Sequence, residues 1–253
     1  MTDPSGTADF GFKTVGESER QGLVNEVFAR VADRYDLMND VMSGGLHRLW
    51  KDDLLNWLMP PRSAAPWRHL DVAGGTGDVA LRVIRASGPN ATSVICDISG
   101  EMLAAGRRRM ERLPEGVRIS FAQGNAEALP LPDRSVDAYT IAFGIRNVTD
   151  IPAALREAHR VLKRGGRFFC LEFSTTEWPG FKEAYDLYSH RLVPKLGQAI
   201  AGDAESYRYL VESIRRFPPM PEFEGMIRQA GFARTKVEPI LGGLVAIHSG
   251  WKV

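Results

Sequence analysis

The chain has 253 residues, 44% hydrophobic and 25% charged, with a net charge of +1, which suits one elaborated domain, or at most two, of ordinary soluble composition. The near-neutral charge gives no global electrostatic reason to expect nucleic acid, whose binders carry a clearly basic face, and no stretch is long and apolar enough to cross a bilayer. The first 20 residues hold Asp3, Asp9, Glu17 and Glu19 and no apolar run, unlike a secretory signal or a transit peptide, so the expected compartment is a reducing cytoplasm.

In chain order, residues 1–17 read as a disordered tail and 18–253 as a single domain. Residues 18–60 read as helical: Val24, Val27, Phe28, Val31 and Tyr35 share one face at 3- and 4-residue spacing. Pro60-Pro61 and "RSAAP" close this zone. Alternation follows: strand "RHLDVA", helix "DVALRVIRAS", strand "TSVICDI", helix "GEMLAAGRRRMERL", strands "VRISFAQGN" and "VDAYTIAF", helix "IPAALREAHRVL", strand "RFFCLEF". Apolar strands without clean alternation are what a parallel sheet covered on both faces requires. Arg107-Arg108-Arg109 reads as the solvated face of its helix.

Residues 174–220 break the pattern with an aromatic-rich, helical insertion, read as a lid or a membrane-docking segment through Trp178, Phe181, Tyr185, Leu187, Tyr188, Leu192, Val193 and Leu196. A helix over "EFEGMIRQAGF" and two strands around Gly242-Gly243, a hairpin signal, end the chain. Cys96 and Cys170 each lie inside an apolar strand-like run and read as buried free thiols. Neither CxxC nor HExxH occurs, so no protein-bound metal is expected.

"LDVAGGTGDVA" follows the first sheet strand and opens a helix. Its glycines let backbone approach a ligand. The pattern Gly75-Thr76-Gly77 with Ala80 leaves a dinucleotide open. Asp97, 20 residues after Gly77 at the end of the next strand, can accept hydrogen bonds from ribose hydroxyls, which serves any adenosine-bearing ligand; the alternative is an Asp capping the next helix, a task Ser99 can also do. Asn125 can pair its amide with adenine edges. In "TIAFGIRNVTD", Arg146 and Asn147 emerge directly after an apolar strand. An arginine does not give up its proton in a protein, so Arg146 suits a fixed positive charge rather than a base, with a structural pair to Asp150 or Glu172 as the plainer reading. His47 titrates near neutrality in its ordinary state and reads either as a proton acceptor or as a structural hydrogen-bonding residue. Tyr35 serves the site or the core.

The run "GNAEALPLPDRSVDAY", with the terminal hairpin, resembles class I S-adenosylmethionine (SAM)-dependent methyltransferases. "YDLMNDVMSGGLHRLWK", "FGIRNVTD" and "RVLKRGGRFFCLEFS" closely resemble the UbiE/COQ5 family, the C-methyltransferases of ubiquinone and menaquinone biosynthesis, from about Val27 to the C-terminus. The resemblance implies an α/β Rossmann-like fold with a mostly parallel seven-stranded sheet ending in an antiparallel hairpin. It implies SAM as cofactor, held by Asp71, Gly74, Gly75, Thr76, Gly77, Asp97, Ile98, Asn125, Ala126 and Ala142, and catalysis by Arg146, Asn147, Tyr35 and His47. It implies a polyprenylated quinol as acceptor, either 2-polyprenyl-6-methoxy-1,4-benzoquinol or demethylmenaquinol. Peripheral contact with the inner face of the membrane, a quinone-synthesis complex and homo-oligomerisation stay open. Methylation of another hydrophobic phenol and a non-catalytic scaffold are the alternatives. Ala142 stands where some members carry serine, so a contact there comes from backbone; Arg164 stands where proline is common and is read as a turn residue.

Overall fold

The computed structural model describes residues 7–10, 13–16, 19, 22–24, 40, 43–174 and 204–253. Within the tail expected to be disordered, β1 (Thr7–Phe10) and β2 (Lys13–Gly16) pair antiparallel, with Thr7 opposite Gly16 and Phe10 opposite Lys13. Gly11-Phe12 separates them in the sequence, a two-residue spacing with glycine first, which is a hairpin signal that composition alone conceals.

The remaining elements are α1 (His47–Leu58), β3 (Trp67–Val72), α2 (Asp78–Ala86), β4 (Ala91–Asp97), α3 (Gly100–Met110), β5 (Ile119–Gln123), β6 (Val136–Ala142), α4 (Ile151–Val161), β7 (Leu162–Phe173), α5 (Ala204–Arg216), α6 (Met220–Gln229), β8 (Ala233–Ile240) and β9 (Val245–Trp251). The helix–strand alternation read from the sequence is the one observed. β7 begins five residues early, because Leu162 already pairs with Val136 before the register shifts by Ala138. Arg164 therefore lies in this irregular start of a strand rather than in a turn.

The main sheet has the order β5-β4-β3-β6-β7-β9-β8. Neighbours from β5 to β7 run parallel, while β9 runs antiparallel to both β7 and β8. The order reverses between β3 and β6, and open α/β sheets bind ligands outside the carboxyl ends of their strands at such a point. Both faces are covered. On one, Ala154, Leu155, Ala158 and Val161 of α4 and Phe223 and Ile227 of α6 pack on Leu70, Val72, Tyr139 and Phe168. On the other, Trp50, Leu54 and Leu58 of α1, Val79 and Val83 of α2 and Tyr209, Leu210 and Ile214 of α5 pack on Phe169, Leu171 and Ile247.

α4 starts where its sequence says it should. Asp150 caps it by accepting from the Ala153 N–H at 2.9 Å, and Pro152 sits in the first turn, where its missing N–H costs nothing. Arg107 and Arg108 are exposed, as expected of a solvated face. Cys96 and Cys170 are buried and unbridged, and burial pushes the Cys96 thiol up to about 12. Of the insertion, only α5 and the residues from there to α6 are described; the aromatic and aliphatic positions 178–196 lie outside the described residues, as do Val27, Phe28, Val31 and Tyr35.

Phe223 locks α6 to the sheet. It is fully buried, 4.9 Å from the Phe217 ring and edge-on to His248 at 4.8 Å. Phe223→Ala should cost about 3–5 kcal/mol in urea unfolding with an unchanged denaturant slope, as truncating a buried aromatic does; a loss below about 1 kcal/mol contradicts this packing.

Candidate active site

The turn from β3 into α2 leaves little space for side chains. Gly77 precedes α2 at φ +82°, and a Cβ there would lie 2.5 Å from Ile95 Cδ1. Gly75 has φ +52°, and its Cβ would lie 2.8 Å from Met102 Cε. Both conformations belong to the left-handed region that glycine adopts without strain.

Two carboxylates hold this turn. Asp97, at the end of β4, accepts from the Gly75 N–H at 2.8 Å through Oδ2 and from the Ser99 N–H at 2.9 Å through Oδ1. Burial raises its pKa against those bonds. Ser99, not Asp97, caps α3, accepting from the Met102 N–H at 3.2 Å. Asp71, beneath the turn, accepts from the Ala80 N–H at 3.2 Å and from the Thr140 hydroxyl at 2.6 Å. Thr140 Oγ1 lies 2.9 Å from His69 Nε2, and His69 Nδ1 lies 2.9 Å from Ser93 Oγ. Since Thr140 donates to Asp71, it accepts from His69, so the histidine carries its proton on Nε2 and accepts from Ser93. Burial lowers His69 to about 3, keeping it neutral.

A cleft of about 700 Å³ opens above the turn. Ala73, Gly75, Asp97, Ile98 and Met102 form its floor and one end. Gly124, Asn125 and Ala126, after β5, form one wall; Phe143, Gly144, Asn147 and Val148, after β6, form the other. Val24 of the N-terminal zone also reaches it. Of the residues singled out in the sequence, Gly75, Asp97, Ile98, Asn125, Ala126 and Asn147 are thus brought together. Asp71, Gly74, Thr76 and Ala142 instead line a smaller adjoining pocket, about 370 Å³, with Lys51 and Asp78; the two pockets share Ala73 and Phe143. Gly77 packs behind, against Ile95. Lys51, which the sequence reading missed, is buried with Nζ 3.0 Å from Asp78. Burial opposes ionisation of Asp78, but Lys51, Arg82 and Arg109 outweigh it and bring the carboxyl down to about 2.

Two expectations change. Arg146 does not line the cleft. Its Nη1 donates to Glu172 Oε1 at 2.7 Å and to the Phe143 carbonyl at 2.6 Å, and the guanidinium lies 5.8 Å from the Phe173 ring centre. Glu172 is fully buried, and burial raises its carboxyl against the pull of Arg146. The plainer reading of Arg146 as half of a buried pair therefore holds, with Glu172 and not Asp150 as its partner. Its neighbour Asn147 does face the cleft and accepts from Tyr209 Oη at 3.0 Å through Oδ1. His47 is also away from the cleft. It is buried at the start of α1, with Nδ1 3.1 Å from Ser43 Oγ, and burial lowers it to about 4. At neutral pH it is therefore uncharged. Tyr35 lies outside the described residues.

Burial pushes Asp71 from its ordinary 3.8 up to about 7, with Thr140 and the Ala80 N–H only partly offsetting it. A carboxyl raised on folding favours the folded state fully below its unfolded value, and that contribution is lost as pH rises through the folded value. Asp71→Asn removes this titration. Its stability relative to wild type should therefore improve by about 2–3 kcal/mol between about pH 5 and about pH 8 in urea unfolding. A difference that is flat with pH contradicts the shift.

The chain is similar to known proteins in sequence and in fold. A model of the ubiE/COQ5 methyltransferase family matches residues 13–252. Among the relatives, the ubiquinone/menaquinone biosynthesis C-methyltransferase UbiE of Bradyrhizobium diazoefficiens is 56% identical over 253 residues, all of both chains. That of Methylobacterium nodulans is 59% identical over 247 residues, 98% of this chain and 97% of its own. Among solved structures, a Thermotoga maritima SAM-dependent methyltransferase superposes with a TM-score of 0.62 at 22% identity, covering 91% of this chain and 100% of that one. Haemonchus contortus phosphoethanolamine N-methyltransferase 2, in complex with S-adenosyl-L-methionine, gives 0.59 at 14%, covering 80% and 52%. These structural likenesses carry the fold, a Rossmann-like class I methyltransferase, and the sequence matches carry the family: the chain belongs to the ubiE/COQ5 methyltransferases.

Proposed function

We propose that the protein methylates a ring carbon of a polyprenylated quinol, 2-polyprenyl-6-methoxy-1,4-benzoquinol, demethylmenaquinol or both, in ubiquinone or menaquinone biosynthesis. The observation that carries this is a cleft at the sheet's switch point, floored by a glycine turn and a buried carboxylate, in a chain of this family. The residues fit an adenosyl ligand. Each Asp97 oxygen accepts one backbone N–H and keeps acceptor capacity for a ribose hydroxyl. Ile98, Met102, Ala126 and Val148 offer apolar surface to a flat ring. When bound, S-adenosylmethionine supplies an electrophilic methyl group.

The chain's own residues then orient the acceptor and favour charge on its oxygen. A ring carbon beside a hydroxyl becomes nucleophilic as that hydroxyl loses its proton. A preorganised donor at a developing oxyanion is worth about 3 kcal/mol. Asn147 is the residue we assign to that oxygen or to a water beside it, because it faces the cleft. Arg146 acts through it: by joining the Phe143 carbonyl to Glu172 it fixes the short turn that carries Asn147. Water is the proton acceptor in this scheme, since His47 lies away from the cleft and Arg146 is engaged with Glu172 and the Phe143 carbonyl. Contact with the membrane surface, where such an acceptor dissolves, belongs to the same proposal; no helix among the described residues is long and apolar enough to cross a bilayer.

Two measurements test this. A strain lacking the corresponding gene, complemented with this one, should regain the methylated quinone; continued accumulation of demethylated benzoquinone and demethylmenaquinone contradicts the proposal. Arg146→Lys should retain SAM binding by calorimetry and lose turnover by about tenfold or more, because a lysine ammonium cannot reproduce the planar guanidinium bridge. Near-normal turnover removes Arg146 from the site's architecture.

A further inference from the structure

The two long walls of the cleft come from separate loops, one after β5 and one after β6, and the Glu127 side chain joins them. Glu127 Oε1 accepts from the Thr149 N–H at 2.8 Å and the Asp150 N–H at 3.0 Å. Both donors directly follow Asn147 and Val148, which form one wall, and directly precede α4. A carboxylate at a helix N-terminus is favoured by the helix dipole and by N–H groups that have no partner within the helix. On its own loop, the Glu127 N–H donates to Asn125 Oδ1 at 3.0 Å, and the Ala128 N–H donates to the Asn125 carbonyl at 3.0 Å. That first bond fixes the orientation of the Asn125 amide: with Oδ1 accepting from backbone, Nδ2 is the end left to donate into the cleft.

The same loop is tied to α4 a second time, farther along. Glu157 accepts from the Leu129 N–H at 2.7 Å, and Arg160 donates to the Leu129 and Leu131 carbonyls at 3.1 and 2.9 Å. The Glu157–Arg160 pair holds the loop's far half, whereas Glu127 bonds next to the lining residues of both walls. We infer that Glu127 is the positioning residue that sets the separation of the two walls and the orientation of Asn125, and through them the affinity for the adenosyl ligand. The inference rests on the function proposed above.

The test is calorimetric titration of the full chain with S-adenosylmethionine and S-adenosylhomocysteine, with turnover measured at saturating SAM. Glu127→Ala removes the acceptor, Glu127→Asp keeps the charge but shortens its reach, and Glu127→Gln keeps reach and an acceptor oxygen without the charge. The Ala and Asp variants should bind SAM and S-adenosylhomocysteine about tenfold more weakly than wild type, as expected when hydrogen bonds that organise the bound state are lost. The Gln variant should stay within about threefold of wild-type affinity. A purely structural role would lower stability and the active fraction while leaving affinity unchanged, and that result overturns the inference. So does a Gln variant as impaired as the Ala variant. If the Ala variant fails to fold, the contrast between Asp and Gln decides. A wild-type chain that binds no SAM overturns the proposed function and the clamp together; a wild type that binds alongside unaffected variants overturns the clamp alone.

Discussion

The turn between β3 and α2 is pressed between two buried carboxylates, and the rest of the site is arranged around that pressure. Asp71 holds the first turn of α2 from beneath through the Ala80 N–H. Asp97 holds the glycine turn from the side through the Gly75 N–H. With Ile95 and Met102 packed against the positions where Cβ atoms would stand and both glycines at positive φ, glycine is the residue that fits without strain, and the backbone itself becomes the floor of the cleft. The two acids differ in what they face. Asp71 is 1% exposed and enclosed by Thr140 and the smaller pocket, whereas Asp97, at 9%, meets the cleft. Asp71 thus lies beneath the turn, and Asp97 lines the larger cleft.

The opposite wall is organised by a different device. Arg146 and Glu172 form a buried pair at 2.7 Å in which the same guanidinium nitrogen also holds the Phe143 carbonyl. Removing one partner of such a pair strands a buried charge at a cost of about 3–5 kcal/mol, which ties the turn bearing Asn147 to β7. Of the two adjacent residues, Asn147 lines the cleft while Arg146 turns back to Glu172. Tyr209 of α5, bonded to Asn147, brings the described end of the insertion against the same residue.

Much of the fold was legible because its signals are local. The strands β3, β4 and β6 read as continuous apolar runs, α4 begins at an Asp-Ile-Pro cap, and Gly242-Gly243 marks the final hairpin. The lining of the cleft was legible for a related reason: Asp97 closes β4, Gly75 and Asn125 follow β3 and β5 by two or three residues, and strand ends in an open parallel sheet converge on one edge. Side-chain direction was not legible. Arg146 and Asn147 are adjacent in sequence, yet one turns back to Glu172, 26 residues on, and the other turns to the cleft. His47 has a histidine's ordinary range in the sequence and loses it mainly through burial, a tertiary property, with the charge of Lys51 adding to the effect. Glu127 was missed because its partners lie 22 and 23 residues away. Its nearest signal was the Asn-Ala-Glu run itself, in which the sequence reading stopped one residue short.

The central claim is that this cleft directs a methyl group to carbon on a quinol ring. The most direct measurement incubates the purified chain with SAM carrying a deuterated methyl group and with reduced demethylated benzoquinol or naphthoquinol bearing a short prenyl tail, then locates the label in the product by mass spectrometry and NMR. The account predicts label on the ring carbon beside a hydroxyl, with no label on oxygen. Label on a phenolic oxygen, or binding of SAM without transfer to either quinol, would contradict it.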